Sequence, residues 1–222
     1  MGKETKTTRN ISVTEKIRKM SDTNALLVIT IAVFFLMYIG AVLFMGEGFS
    51  KPQTFFNILN SNAPLIITAC GMSLVMIAGG IDISIGGVAG LVTMSCAVYL
   101  DYHDGSVIGA LGIALGIGLA FGLIQGYLVA YLGIQPFIVT LAGMFFARGL
   151  TTIIHTNPFN VANKAFVDLK NTRVIVPGMG SVNRIGRYVN AYVEVGVIVA
   201  LLVIVVFFVA LRWTKPGRNL YA

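Results

Sequence analysis

Ala25–Met45 is a run of 21 residues without one charged side chain, and it restricts the fold more than any other feature. As a helix it would reach roughly 30 Å, the thickness of a bilayer's hydrocarbon core. The rest of the chain repeats the pattern in shorter runs. Of its 222 residues, 56% are hydrophobic and 11% charged, whereas an ordinary soluble domain is about a quarter charged. Six spans of about 20 residues would take up about 120 residues, close to the hydrophobic fraction. This excludes a soluble globular domain, a disordered chain, collagen and a disulfide scaffold. The expected fold is an all-α polytopic membrane protein of about six transmembrane helices.

Residues 1–24 form a basic head: Lys3, Lys6, Arg9, Lys16, Arg18 and Lys19 against Glu4, Glu15 and Asp22. Ser12 and Glu15 have capping-box spacing, which predicts a short interfacial helix from near Val13. Ala25–Met45 is too long for a signal-peptide core, and no small-residue cleavage site follows it. It is therefore expected to be a retained first span. A turn at Gly46–Pro52 leads to a second apolar run, Ala63–Gly79, with Pro64 near its start, where proline is tolerated. Further spans are expected up to Leu100, then over Val107–Leu132, Phe137–Ile154 and Ala191–Leu211. The membrane domain thus covers residues 25–211, and residues 212–222 begin a cytoplasmic loop.

Six spans return the chain to its starting side. Six basic residues in the head and Arg212, Lys215 and Arg218 in the tail then lie together in the cytoplasm, as the positive-inside rule prefers. Asp101, His103 and Asp104 fall outside. So does a polar segment over 155–190, although it carries Lys164, Lys170, Arg173, Arg184 and Arg187. The net charge of +7 reads as loop orientation and not as nucleic-acid binding. Cys70 and Cys96 sit in apolar runs and are expected to be free thiols.

The segment Gly79-Gly80-Ile81-Asp82-Ile83-Ser84-Ile85-Gly86-Gly87 is the most informative chemically. A carboxylate between two apolar spans is costly at membrane depth and marks a functional position. Flanking glycines suggest a broken backbone, which is tolerated where it lines a cavity or is buried in protein. Asp82 is also placed to cap the next helix by accepting from the amide of Ser84 or Ile85. The two roles are compatible, because a helix start inside a membrane protein presents donors to a polar solute. The candidate path residues are Gly79, Gly80, Asp82, Ser84, Gly86 and Gln125. In the fourth span Gly112, Gly116, Gly118, Gly122 and Gly126 recur, the last three sharing one face, and are expected to admit close helix packing. Gln125 beside that face either bonds across helices or touches a hydroxylated solute. Arg148 is expected to snorkel to the outer interface or to pair with Asp82 or Glu194.

No G-x-x-x-x-G-K-S/T motif occurs, so no P-loop nucleotide site is expected. His103 and His155 lack metal-ligand spacing, no Ser/His/Asp pattern stands out, and neither cofactor nor metal is expected. The chain reads as a transport subunit and not as an enzyme.

Asn57–Val88, containing G-M-S-L-V-M-I-A-G-G-I-D-I-S-I-G-G-V, resembles the signature of bacterial monosaccharide ABC-importer permeases of the ribose, xylose, galactose and galactofuranose type. The family pattern is close to G-M-T/S-x-V-I-x-x-G-G-I-D-L-S-V-G-S, with Gly87 here in place of the usual serine. Gln135–Gly149 (Q-P-F-I-V-T-L-A-G-M-F-F-A-R-G) is similar to a second family segment, and its wording is nearest to the galactofuranose type. V-P-G-M-G at Val176–Gly180 agrees. The tail Arg212–Ala222 is similar to a third motif, R-x-T-R/K-x-G-R/K-x-x-Y/F-A. In the family that motif runs on into A-x-G-G-N-x-x-A-A, which docks the ATPase, and the chain stops before it. It resembles the N-terminal part of a permease: a fragment, a truncated frame or half of a split gene, not expected to transport alone.

The resemblance implies a path-forming subunit in the bacterial inner membrane, with its N-terminus cytoplasmic. Implied partners are a cytoplasmic ATPase carrying out ATP hydrolysis, an external sugar-binding protein, a second permease subunit, the sugar and the lipid bilayer; the length and five basic residues of 155–190 make it either the dock for the binding protein or a solvated loop. Partner coupling would fall to Arg212, Lys215, Gly217 and Arg218. The rival readings are an ion-coupled carrier or channel, for which Asp82 is a thin ion site, and a non-transporting membrane fragment.

Overall fold

A computed structural model describes residues 22–45, 49, 51–182 and 186–220. The short helix expected near Val13 and the loop residue Arg184 lie outside them. Among the described residues six helices are long and apolar enough to cross a membrane. They are α1 (Asp22–Met45), α2 (Pro52–Ile77), α3 (Ile85–Tyr102), α4 (Val107–Ala130), α5 (Pro136–Ile154) and α7 (Val195–Trp213). Between α5 and α7 lie a short helix α6 (Lys164–Asn171) and the strands β1 (Arg173–Val182) and β2 (Tyr188–Glu194). A final short helix, α8, spans Lys215–Leu220.

The chain divides into two compact units at Thr54/Phe55. In the first, α1 exposes apolar side chains on nearly every face, as a helix surrounded by lipid would. In the second, α3 packs against both α4 and α5. Gly87 of α3 is buried there, and a Cβ would come 2.8 Å from the Met144 carbonyl oxygen of α5, so the glycine sets how closely the helices approach. A separate small core joins Ala63 of α2 to Val197 and Ala200 of α7, flanked by Leu59, Ile66 and Ile67. Cys70 and Cys96 are free.

Three expectations about the elements need correction. The second span starts at Pro52, and Pro64 lies inside its helix, not near its start. The Asn-Ser-Asn stretch before Pro64 looks like a loop. Within a membrane, however, polar side chains can bond to carbonyls of their own helix, so such residues need not mark a loop. Thr68 donates to the Pro64 carbonyl at 2.8 Å and Asn62 to Ile58 at 2.7 Å. The polar segment after α5 is not simple loop, because β1 and β2 pair antiparallel, Arg173 with Glu194 and Val182 with Tyr188. Its register is irregular between Ile175 and Gly180, where Pro177 cannot donate and Gly178 has φ +82°. The last span therefore begins at Val195, since Ala191–Glu194 are held in β2. The hairpin is a small addition to an otherwise all-helical protein.

Candidate functional site

The break between α2 and α3 is built by its glycines. Gly79 takes φ +79°, a left-handed conformation that disfavours any residue with a Cβ. Its amide donates to the Met76 carbonyl at 3.0 Å and that of Gly80 to Val75 at 2.9 Å. These paired bonds are a Schellman ending, which satisfies the last carbonyls of α2 while turning the chain away from the helix axis. Gly80–Ile83 then runs without helical structure, and α3 begins at Ile85.

Asp82 is not the N-cap. Ser84 occupies that position without a side-chain cap bond, and Asp82 stands two residues earlier. Its Oδ1 accepts from the Ser84 amide at 2.8 Å and from the Ser84 hydroxyl at 2.7 Å, an Asx turn that fixes how α3 starts. Ser84 Oγ lies 3.2 Å from Gln125 Oε1 on α4. One hydroxyl proton cannot serve both acceptors, and Gln125 Nε2 is buried without a partner. Turning the amide over resolves that conflict: Nε2 donates to Ser84 Oγ, and Ser84 donates to Asp82. Thr140 of α5 reaches the same segment, its hydroxyl lying 3.2 Å from the Ile81 carbonyl and 3.3 Å from that of Phe137 in its own helix. Ser84 and Thr140 are both buried.

These groups border a cavity of about 300 Å³ whose lining includes Gly80, Asp82, Gln125 and Thr140. Gly122 and Gly126 of α4 form part of its wall. On the other side of Gln125 lies a wholly apolar cleft of about 370 Å³, lined by residues such as Phe121, Val139, Gly143 and Phe146. Gln125 therefore stands between a cavity that Asp82 and Thr140 border and an apolar cleft. A Cβ at Gly143 would fall on the Gln125 amide, so α5 needs a glycine there. The first cavity offers one hydroxyl, one amide and one carboxylate on a mostly apolar wall. Such a set suits a neutral solute rich in hydroxyl groups.

The structure thus brings Gly80, Asp82, Ser84 and Gln125 together, with Gly79 shaping the approach. Gly86 is exposed on α3. At Gly112, Gly116, Gly118, Gly122 and Gly126 an added Cβ would meet open space, so among the described residues nothing packs closely against them. Arg148 is exposed and forms no ion pair among the described residues. Arg212, Lys215, Gly217 and Arg218 cluster where α7 turns into α8. Among the described residues no group of three His, Cys, Asp or Glu could hold a metal.

Thr140 and Gly143 were not legible as site residues. Each sits in an apolar run, and only the fold sets them beside Ile81 and Gln125. A second unforeseen cluster lies at the far end of α3. Asp101 Oδ1 accepts from the amides of Ala162 at 2.8 Å and Asn163 at 3.0 Å. Asn163 Nδ2 donates back to Leu100 at 3.1 Å and Gly105 at 3.2 Å. Tyr102, His155 and Phe159 stack beside it, with the Tyr102 hydroxyl 3.3 Å from His155 Nε2.

Comparison with known proteins agrees with this architecture. The inner membrane ABC transporter permease protein YjfF of Escherichia coli is 35% identical over 90% of this chain and 56% of its own length. The galactofuranose transporter permease protein YtfT of Escherichia coli is 34% identical over 80% of this chain and 46% of its own. The fructose import permease protein FruG of Bifidobacterium longum is 32% identical over 72% and 46%. The chain thus spans about half the length of these relatives. No solved structure matches. Residues 54–222 match the family described as branched-chain amino acid transport system, permease component. With six membrane-crossing helices and a match over well more than half its length, the chain belongs to that family of transport-system permease components.

Proposed function

We propose that this chain forms part of the translocation path of an ATP-binding-cassette importer for a simple sugar. The observation that carries the proposal is the cavity bordered by Asp82, Gln125 and Thr140. Hydroxyl-rich solutes exchange hydrogen bonds with such groups without needing a counter-charge. The named relatives include permeases for galactofuranose and fructose, which favours a sugar over an amino acid, whose ammonium and carboxylate would call for charged partners. Gly79, Gly80, Ser84 and Gly86 shape this path, and Gln125 separates it from the apolar cleft. The open glycine face of α4 receives another helix of the assembly or a second permease subunit.

In this reading a separate cytoplasmic subunit hydrolyses ATP, and Arg212, Lys215, Gly217 and Arg218 lie at the start of the coupling contact. An external sugar-binding protein docks on the segment containing α6 and the β1–β2 hairpin, where Lys164, Lys170 and Arg187 supply positive charge. The head and tail then face the cytoplasm of a bacterial inner membrane. Asp82 is held by Ser84 in the same chain, which fits a structural and path role better than an ion-coupling one.

The test is reconstitution of the chain in its complete importer, with uptake of labelled sugars and branched-chain amino acids measured side by side. Sugar uptake that Gln125→Leu and Thr140→Val each reduce at least tenfold, with protein level unchanged, is expected. Uptake of an amino acid and of no sugar would overturn the reading.

A further inference from the structure

We infer that the turn between α7 and α8 is a binding site for the phosphate headgroup of an anionic phospholipid, held by Arg212 and Arg218. The span α7 ends at Trp213, and an aromatic residue with a polar edge at the end of a span marks the headgroup level. The chain reverses there within a few residues. Thr214 donates its amide to the Ala210 carbonyl at 3.3 Å and its hydroxyl to the same oxygen at 2.5 Å. The Gly217 amide donates to Thr214 Oγ1 at 3.3 Å, and the Arg218 amide to the Thr214 carbonyl at 3.2 Å.

Gly217 makes the reversal possible. It is buried, and a Cβ would collide with the carbonyl oxygens of Ala210 and Leu211. With hydrogen alone at that position, α8 lies against the last turn of α7, and Arg218 comes to the same cleft as Arg212. The cleft has a volume of about 450 Å³ and is lined by Phe208, Leu211, Arg212 and Arg218. The Arg212 guanidinium lies over the Phe208 ring at 5.9 Å from its centroid. Among the described residues neither arginine is in an ion pair. Glu194, the carboxylate at the other end of α7, is a full span away, roughly 28 Å along the helix.

Two guanidinium groups without carboxylate partners match one phosphodiester, since guanidinium pairs with phosphate oxygens through two parallel N–H donors. The apolar side of the cleft decides between sources of phosphate. Phe208 and Leu211 would lie against the glycerol and first acyl carbons of a lipid, and offer nothing to a free ion. Basic pockets at the ends of spans are known to hold anionic headgroups, with about 1 kcal/mol for each basic residue near the surface. This site is independent of what the importer carries, and its binding readout does not depend on transport.

Trp213 is the only tryptophan of the chain, follows Arg212 directly in sequence and is exposed, so it reports on lipid at this end of α7. The experiment places the full chain in nanodiscs of phosphatidylcholine containing a fixed fraction of brominated lipid, either phosphatidylglycerol or phosphatidylcholine, and measures quenching of Trp213. The site predicts roughly a thirtyfold preference for phosphatidylglycerol. Arg212→Gln and Arg218→Gln should each lower it about fivefold and together remove it, while Lys170→Gln leaves it unchanged. Gly217→Ala keeps every charge but displaces Arg218, and should also lower the preference. Because that variant preserves net charge, an unchanged preference in it would mean diffuse basic attraction and overturn the site. Equal quenching by the two lipids in the unaltered chain would do the same. Loss of the preference in millimolar inorganic phosphate, but not in sulfate-free chloride of equal ionic strength, would assign the cleft to a soluble anion and overturn the lipid reading. Should the double glutamine variant lose helicity by circular dichroism, the Arg212→Lys/Arg218→Lys pair takes its place. It should lose bidentate contacts and about half the preference while keeping its charge.

Discussion

Ser84 at the start of α3 and Gln125 in the second half of α4 are 41 residues apart in sequence and 3.2 Å apart in space. The contact joins the broken segment to a membrane-spanning helix, and Gly143 of α5 leaves room for the amide that makes it. Gly143→Ala should therefore push the Gln125 side chain off Ser84 and cost about 1–3 kcal/mol in stability. In a Gln125→Ala background the same change should cost well under half as much, because the group it collides with is gone. Thermal melting of the four proteins of this cycle in detergent gives the coupling directly. Additive costs would mean that Gly143 and Gln125 do not share one site.

Asp82 tests whether the break is held mainly by charge or by geometry. Asp82→Asn keeps an oxygen able to accept from the Ser84 amide, so the chain should fold with a loss of about 1 kcal/mol or less. Asp82→Ala leaves both the Ser84 amide and the way α3 begins without support, and should cost about 1–2 kcal/mol. Expression and melting temperature read the difference. An alanine variant as stable as the asparagine one would remove the Asx turn from the account of this segment.

Much of the fold was legible because a bilayer imposes length. Apolar runs such as Ala25–Met45 and Val107–Leu132 became α1 and α4 with boundaries shifted by three residues or fewer. The Gly79-Gly80 pair announced the break, since a positive φ next to a helix end is written in glycine. The start of α2 was hidden because Asn57, Asn60, Ser61 and Asn62 look like loop residues. Asn60 is in fact used at long range, accepting from the Glu194 amide at 3.0 Å. The β1–β2 hairpin was hidden by Pro177, Gly178 and Gly180, which read as turn residues and occur where the register is irregular. Thr140 illustrates the general limit. Its bond to Ile81 spans 59 residues, and no local periodicity encodes a partner so distant.

Asp101 and Asn163 form a staple that should control the segment after α5. Four hydrogen bonds connect the end of α3 and the loop after it with residues 162–163, and Asn163 also caps α6 through the Phe166 amide at 3.3 Å. Asp101→Ala leaves two amides without their acceptor and should cost about 1–3 kcal/mol locally. The effect should be seen first as local opening. Limited proteolysis should cut between 155 and 163 several-fold faster in Asp101→Ala and Asn163→Ala, while the melting temperature moves much less. Unchanged cleavage in both variants would show that the staple is not what orders this segment.

The same staple supports the number of crossings independently of hydropathy. The end of α3 is bonded to residues that follow α5, so the two helix ends lie on one membrane face. Two crossings, α4 and α5, separate those ends, and an even number returns the chain to the same side. The α6 helix and hairpin extend from that face, and α7 then crosses once, placing α8 opposite. A cysteine at Lys164 and one at Asn219, each introduced singly after Cys70 and Cys96 are replaced by alanine, should react with a membrane-impermeant maleimide from opposite sides. The background change is tolerable: Cys96 contributes one weak bond, to the Ala110 carbonyl at 3.2 Å. In sealed vesicles of one orientation, one of the two positions should label fully before lysis and the other only after it. Labelling of both from a single side would require an even number of crossings between residues 164 and 219. It would thereby exclude α7 as a simple span.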